Sequence, residues 1–490
     1  VSSAPTSGRS LASAGVYAIA AAGQRALGFL LLPLYTTVLS PAEYGRISLL
    51  VAISAAAYVV LAAGFDFAVI RQYFHHEGDP EAQQRFVSSA WICQMWTAPG
   101  LGLLVALPVA LFAPSSDVFR PTEVAVAILA AAVLVVATIV PLSVLRCEQR
   151  LKPYLLLSFV AAVSTAGFTI AFVVVFRRGV VGWLEAMLCA NTVSLVVAMC
   201  AIRWSPRQAR DREGVKRALA LGLPLVPHAL AQWSLQVADR VLLSALVVPA
   251  ALGVYSLGAN LALPALILIQ SLNQGFMPTY ARLQHDPDAT SELRGTITMQ
   301  VALVAWIGAA LALVGPPLVA IVSPSSYGGA EAVIPWITLG YVFLGFYFVP
   351  MNSLSLILGR TKFIWVVTGC AAAINLGAIW ALVGPYGIVG AAAASAVGYL
   401  VQFVAISLYA KRVGVSLSLD WPALLRVCAV AAATYSVGAT LIPANGLEGF
   451  VLRTVLALAS IVVLAVAAGV PVRRLRMSPR TAMRTLRPSR

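Results

Sequence analysis

Pro41-Ala42-Glu43-Tyr44-Gly45-Arg46-Ile47-Ser48 is followed, 208 residues later, by Pro249-Ala250-Ala251-Leu252-Gly253-Val254-Tyr255-Ser256, with Pro, Ala, Gly and Ser in register. Further matches keep nearly the same offset. Pro114-Ser115-Ser116 lies over Pro324-Ser325-Ser326, Glu123 over Glu331, Arg150-Leu151-Lys152 over Arg360-Thr361-Lys362, and Gly179-Val180-Val181-Gly182 over Gly387-Ile388-Val389-Gly390. In a chain so rich in Ala and Val one match carries little weight. Five in order at nearly constant offset indicate an internal duplication.

Both copies lie within apolar runs long enough to cross a bilayer. The 490 residues are 60% hydrophobic and 10% charged, with a mean hydropathy of +0.89, too little polar surface to cover the apolar volume in water. About fourteen runs approach the length that spans a hydrocarbon core, near 11–39, 43–65, 87–113, 122–145, 154–176, 181–202, 218–246, 250–275, 297–322, 331–357, 363–384, 387–410, 423–442 and 450–470. They do not alternate with period two, so helices rather than barrel strands are expected. The expected fold is an all-α polytopic membrane protein of two six-helix parallel repeats plus two C-terminal helices. That gives an N-terminal lobe over 1–203, a basic linker over 204–217, a C-terminal lobe over 218–412, two further helices over 413–470 and a basic tail over 471–490. An even number of helices per copy makes both copies enter from the same face, the arrangement of parallel transporter repeats, whose site lies between the halves.

The net charge of +15 is unevenly placed. With the N-terminus inside, twenty-five Lys and Arg fall in inner loops and the tail, against Arg46, Arg120, Arg177 and Arg178 outside. This positive-inside bias predicts a multi-pass membrane protein with both termini cytoplasmic. No aromatic residues interleave the basic stretches, which argues against nucleic acid. The six cysteines show no CxxC spacing, so neither a disulfide framework, a metal site nor a cofactor is indicated. The first apolar run is too long for a signal-peptide core and reads as a retained helix. Outer loops are short and carry no clustered acids, which speaks against an enzyme.

Polar residues at membrane depth are the functional candidates, because they are expensive there. In the seventh segment His228, Gln232, Gln236 and Asp239 fall within an arc of about 80° at roughly 100° per residue. Arg240 flanks them, and Pro224 and Pro227 predict a break near the segment's start. Two readings stay open for Asp239 and Arg240: lining a cavity, or snorkelling at a helix end; neighbours on a helix do not face each other, so each is expected to find a partner elsewhere. In the first segment Tyr17, Gln24, Gly28 and Tyr35 share an arc of about 40°, with Arg25 beside them. Arg25 is suited to anion oxygens, or is tied to helix carbonyls or to Asp66. Asp66 and Arg71 either cap the second segment or serve the cavity. Asn191, Asn260, Asn273, Asn352 and Asn375 can bond sugars but equally join helices.

Leu39-Ser40-Pro41-Ala42-Glu43-Tyr44-Gly45, Gly64-Phe65-Asp66-Phe67-Ala68-Val69-Ile70-Arg71, and Ala238-Asp239-Arg240 followed by Leu252-Gly253-Val254-Tyr255-Ser256-Leu257 resemble the polysaccharide transporters. These are the lipid-linked oligosaccharide (O-antigen-type) flippases of the multidrug/oligosaccharidyl-lipid/polysaccharide exporter superfamily. The lipid II flippase branch is less similar, since its first helix continues with basic residues where this chain has Leu30-Leu31-Leu32-Pro33. The resemblance implies two lobes around a cationic cavity and transfer of a polyprenyl-diphosphate-linked oligosaccharide to the outer leaflet by alternating access. Arg25, Gln24, Tyr17, Tyr35, Gln232, Trp233, Gln236 and Arg240 would then line the cavity, and Asp239, His228 and Asp66 would couple it to an ion. Implied partners are the lipid-linked glycan, membrane lipids, and a polysaccharide polymerase or glycosyltransferases. A cation-coupled multidrug exporter and a scaffold for polysaccharide synthesis are the competing readings.

Overall fold

The computed structural model describes residues 29, 31–283, 290–358, 363–414, 419–444 and 446–469, and no strand occurs among them. Lipid offers the backbone no hydrogen-bond partner, and a helix satisfies its own N–H and C=O groups within one segment. Twelve helical stretches among the described residues are long and apolar enough to cross a membrane. The chain divides into two compact units, Val1–Ser256 with Val322–Tyr327, and Leu257–Ile321 with Gly328–Arg490.

In the first unit α1 (Leu32–Val38) leads into α2 (Pro41–Ala62), which starts abruptly for a local reason. The Ser40 hydroxyl accepts from the Glu43 N–H at 3.3 Å, the Glu43 carboxylate accepts from the Ser40 N–H at 3.0 Å, and Pro41 opens the first turn. This is a capping box with a proline whose missing N–H costs nothing there. Next come α3 (Phe65–His75), α4 (Pro80–Phe112), α5 (Pro121–Cys147), α6 (Leu151–Thr169, continued by a π turn at Ile170–Val175) and α7 (Gly179–Ala201). Helix α5 is apolar all round and forms the centre, with Val135, Ala137, Val140 and Leu145 fully buried. Helix α4 instead turns Leu104 and Phe112 outward and fastens to α5 through Trp91, whose indole N–H donates to the Val136 carbonyl at 2.8 Å. The unit ends with α8 (Arg212–Gly222), α9 (Val226–Leu246) and the first residues of α10 (Pro249–Leu283).

Between α2 and α3 the backbone is left-handed at Ala63 (φ 51°) and Gly64 (φ 69°). The break is interlocked with another. A Cβ on Gly64 would stand 2.3 Å from the Gly222 carbonyl oxygen, and one on Gly222 2.5 Å from that of Ala63. Gly222 itself ends α8, where the chain passes through a 3-10 turn at Leu223–Leu225 into α9.

The second unit holds the rest of α10, α11 (Thr290–Val322), α12 (Ala330–Asn352, continued by a π turn at Ser353–Ile357), α13 (Ile364–Arg412), α14 (Trp421–Leu441) and α15 (Gly446–Ala467). Straight, the 49 residues of α13 would measure about 74 Å, more than twice the hydrocarbon core. They do not run straight: Gly387 (φ 57°, ψ −140°) breaks them. Asn375 then donates to the Ala394 carbonyl at 3.0 Å, and Gln402 to the Thr368 hydroxyl at 3.4 Å, the pairing of an antiparallel hairpin. Gly179 (φ 56°) does the same before α7. The glycines three residues on repeat the parallel, for a Cβ on Gly182 would meet the Phe172 carbonyl oxygen at 2.8 Å and one on Gly390 that of Leu382 at 2.2 Å. The duplicated Gly-X-X-Gly thus turns a helical hairpin in each copy.

Candidate functional site

Pro224 and Pro227 fall in the 3-10 turn and the first turn of α9, where missing N–H groups are tolerated. Beyond them His228, Gln232 and Gln236 are all half-buried on one face of a candidate membrane span. Neither glutamine has a hydrogen-bond partner among the described residues, and Nδ1 of His228 is buried without one. An unpaired carboxamide against hydrocarbon costs several kcal/mol, on the order of 2 to 7. Such a face is suited to water or to a polar ligand.

Trp233 points its chemistry elsewhere. Its indole N–H donates to the Ala52 carbonyl of α2 at 3.1 Å, joining the two helices.

Asp239 and Arg240 are buried, with side chains 8% exposed, and they stand about two turns before the end of α9 at Leu246. This excludes snorkelling at a helix end. The two also touch each other: Nη1 of Arg240 lies 3.6 Å from Oδ1 of Asp239, which accepts the Arg240 N–H at 2.7 Å. The other carboxylate oxygen accepts from the Tyr255 hydroxyl of α10. Asp239 thus has both carboxylate oxygens engaged, one of them by a partner on another helix.

The remaining candidates are dispersed. Tyr35 on α1 has its hydroxyl hydrogen-bonded with Thr169 at the end of α6. Asp66 is exposed in the first turn of α3, two residues past the Gly64–Gly222 contact, where a carboxylate complements the helix dipole. Tyr17, Gln24 and Arg25 lie outside the described residues. Asn191, Asn352 and Asn375 act as helix fasteners, donating to Ala130, Asn273 and Ala394. Among the described residues no group of three or more His, Cys, Asp or Glu could hold a metal ion.

A second constellation was missed in the sequence although its residues open the duplicated motif. Pro41 and Pro249 begin α2 and α10 side by side. A Cβ on Gly45 would lie 2.3 Å from the Pro249 carbonyl oxygen, and one on Gly253 1.8 Å from that of Pro41. Each copy's glycine meets the other copy's proline, a local two-fold contact of backbone on backbone. The 322–327 segment seals the same corner: the Thr36 hydroxyl donates to the Val322 carbonyl at 2.6 Å, and the Tyr327 hydroxyl to that of Leu39 at 3.0 Å. Tyr44 stands edge-on to Tyr327 at 6.0 Å, and burial holds the Tyr327 phenol well above the usual tyrosine range. Beside it Arg46 pairs with buried Glu123, which Arg120 also approaches at 3.8 Å. Glu331, the counterpart of Glu123, accepts the Gly329 N–H instead.

Comparison with known proteins adds the family. Residues 36–331, more than half of the chain, match the family described as "Polysaccharide biosynthesis protein". A stretch of 147 residues is 28% identical to "Lsg locus putative protein 1" of Haemophilus influenzae, covering 29% of this chain and 37% of that protein. Among solved structures the chain is similar to lipid II flippase MurJ in an inward closed conformation, with a TM-score of 0.72, 13% identity, and 91% and 97% of the two chains covered. It is also similar to an inward-facing multidrug resistance MATE family transporter of the MOP superfamily, with a TM-score of 0.67, 15% identity, and 79% and 94% covered. Twelve candidate spans among the described residues, a duplicated helical plan and the matched residues agree: this chain is a member of the polysaccharide biosynthesis protein family, a multi-pass membrane protein with a fold like those of MurJ and MATE transporters.

Proposed function

We propose that the chain is a flippase that carries a polyprenyl-diphosphate-linked oligosaccharide from the cytoplasmic to the outer leaflet by alternating access. The observation that carries the reading is the α9 face, where the carboxamides of Gln232 and Gln236 have no partner among the described residues within a candidate membrane span of a polysaccharide-biosynthesis protein. A glycan cannot cross about 30 Å of hydrocarbon without a surface that replaces its hydration. In this reading the glutamines bond sugar hydroxyls, Arg25 binds the diphosphate, and the polyprenyl tail stays in lipid. Of the ion-coupling candidates His228 is better suited than Asp239, because Asp239 already has both oxygens engaged whereas His228 keeps an unpartnered ring nitrogen. The corner at Gly45 and Gly253 is the closed outer gate. With α13 counted as two crossings and the expected 11–39 span, which lies mostly outside the described residues, counted as one, the plan has fourteen helices in two lobes of six plus a pair, both termini cytoplasmic.

The test is the leaflet distribution of lipid-linked oligosaccharide in cells lacking the protein, read with a membrane-impermeant sugar label before and after lysis. Intermediates that accumulate and label only after lysis are expected. Gln232→Ala with Gln236→Ala should fail to restore outer labelling while still reaching the membrane. Unchanged outer labelling with no accumulation overturns the reading in favour of drug export.

A further inference from the structure

The stretch that joins α7 to α8 is a folded element with fixed anchors. The Ser205 N–H donates to the Ser88 hydroxyl at 3.1 Å and the Asp211 N–H to the Ser89 hydroxyl at 2.9 Å, so two adjacent serines of α4 hold both ends of the loop. Trp204 stands edge-on to Trp91 with ring centroids 4.9 Å apart. Asp211 caps α8 through the Gly214 N–H at 2.8 Å and faces His76 at 3.7 Å. Helix α8 then lays Val215, Ala218 and Gly222 against α3 and α4 and keeps Lys216 and Arg217 outside.

On this fixed frame Arg203, Arg207, Arg210 and Arg212 are all exposed, and none pairs with a carboxylate among the described residues. Several other cations of the unit are neutralised locally. Arg46 pairs with Glu123, Arg85 with Asp79 and Glu81, Arg150 with Glu148, Arg178 with Glu185 and Lys216 with Glu213. Four unneutralised guanidiniums on a ten-residue loop oppose one another unless an outside anion sits among them.

The position of the loop selects the anion. It joins the end of one candidate span at Ala201 to the start of the next at Arg212, and within that next span the side chains of Leu223 and Leu225 are exposed. Lys216 is seven residues before Leu223, about 10 Å at helical rise, which sets the basic loop at headgroup depth. Exposed cations immediately beside membrane-spanning segments attract anionic headgroups.

We infer that the 203–217 segment is a preformed docking surface for anionic phospholipid headgroups, with Arg203, Arg207, Arg210 and Arg212 as phosphate ligands. It is independent of the flippase reading, since it concerns annular lipid rather than cargo.

The full chain would be reconstituted in bilayers and its lipid selectivity read by electron paramagnetic resonance, with spin-labelled phosphatidylglycerol and phosphatidylcholine as the two probes. The wild type should prefer phosphatidylglycerol by about fivefold or more at low salt, and high salt should abolish the preference. Replacing the four arginines by glutamine should bring the two lipids near parity, replacing them by lysine should keep most of the preference, and Arg120→Gln with Arg177→Gln should leave it intact. Should the glutamine variant not fold, the lysine variant and the wild-type salt titration still decide. A preference that survives the glutamine substitutions, or that ignores salt, overturns the inference. So does parity in the wild type alongside an acidic protein that co-purifies only while the four arginines are present.

Discussion

Gly45 and Gly253 are not interchangeable with alanine, for a reason that can be given in ångströms. The methyl of Gly253→Ala would stand 1.8 Å from the Pro41 carbonyl oxygen, and that of Gly45→Ala 2.3 Å from the Pro249 carbonyl oxygen. Both obstacles are backbone, so the helices must separate, at a cost of about 1 to 3 kcal/mol. Thermal unfolding in detergent should show both variants destabilised, Gly253→Ala the more. Gly167→Ala in α6 is the control, because a Cβ there meets nothing within 4 Å and alanine is the better helix former. Equal melting of all three would refute the close contact. The glycines themselves were legible, since they sit in register in the duplicated motif. Their contact was not: a repeat shows which residues correspond, whereas the meeting of two equivalent positions is a property of the folded chain.

Arginine caps organise the last two helices. Arg453 of α15, 4% exposed, donates to the Ile442 carbonyl just past α14 at 2.7 Å, while Arg426 of α14 reaches the carbonyl of Ala467, the last residue of α15, at 3.3 Å. Each helix satisfies a terminal carbonyl of the other. Arg453 also donates to Leu313 in α11 at 3.2 Å. That carbonyl is free because Pro317, four residues on, has no N–H to give it. Arg453→Leu should therefore orphan two carbonyls and cost about 2 to 4 kcal/mol, read as faster hydrogen exchange around Ile442 and a lower melting temperature; exposed Arg426→Ala should be close to neutral. Restoring the helical bond with Pro317→Ala should make Arg453→Leu less costly, so the double-mutant cycle should be non-additive. Additive losses would mean that Arg453 does not serve the Leu313 carbonyl. The helical segments of this hairpin were readable from hydropathy, as was the break between 384 and 387. Arg453 was passed over because it stands alone, with no periodic partner or acidic neighbour to mark it. The polar face of α9 was readable for the opposite reason, spaced as it is at helical intervals. What hydropathy could not separate was Trp233, on a packing contact with Ala52, from Gln232 beside it, because the two differ in direction rather than in composition.

At the scale of the whole molecule the proposed transport cycle places a demand on one corner. Pro41–Gly45, Pro249–Gly253 and 322–327 meet there, so equivalent parts of both copies touch across a local two-fold. If cargo leaves between the copies, this contact has to open once per cycle, at the expense of the Tyr327–Leu39 and Thr36–Val322 hydrogen bonds. A reversible cross-link distinguishes a gate from a fixed hinge. After replacement of Cys93, Cys147, Cys189, Cys200, Cys370 and Cys428 by serine or alanine, cysteines would be placed at Leu39 and Tyr327, whose backbone carbonyl and hydroxyl are 3.0 Å apart in the native chain. A short, reducible bis-thiol reagent would then join them. Transport of the lipid-linked glycan should stop on cross-linking and return on reduction, with each single-cysteine chain unaffected by the reagent. Undiminished transport with the corner joined would make it the hinge about which the copies turn, and the outlet would have to lie elsewhere. The gate outcome is favoured by the physics of the contact: glycine-to-backbone packing excludes side chains and water and seals tightly when closed, while the Tyr327–Leu39 and Thr36–Val322 hydrogen bonds are worth only about 1 kcal/mol each, a scale that differential cargo binding can offset.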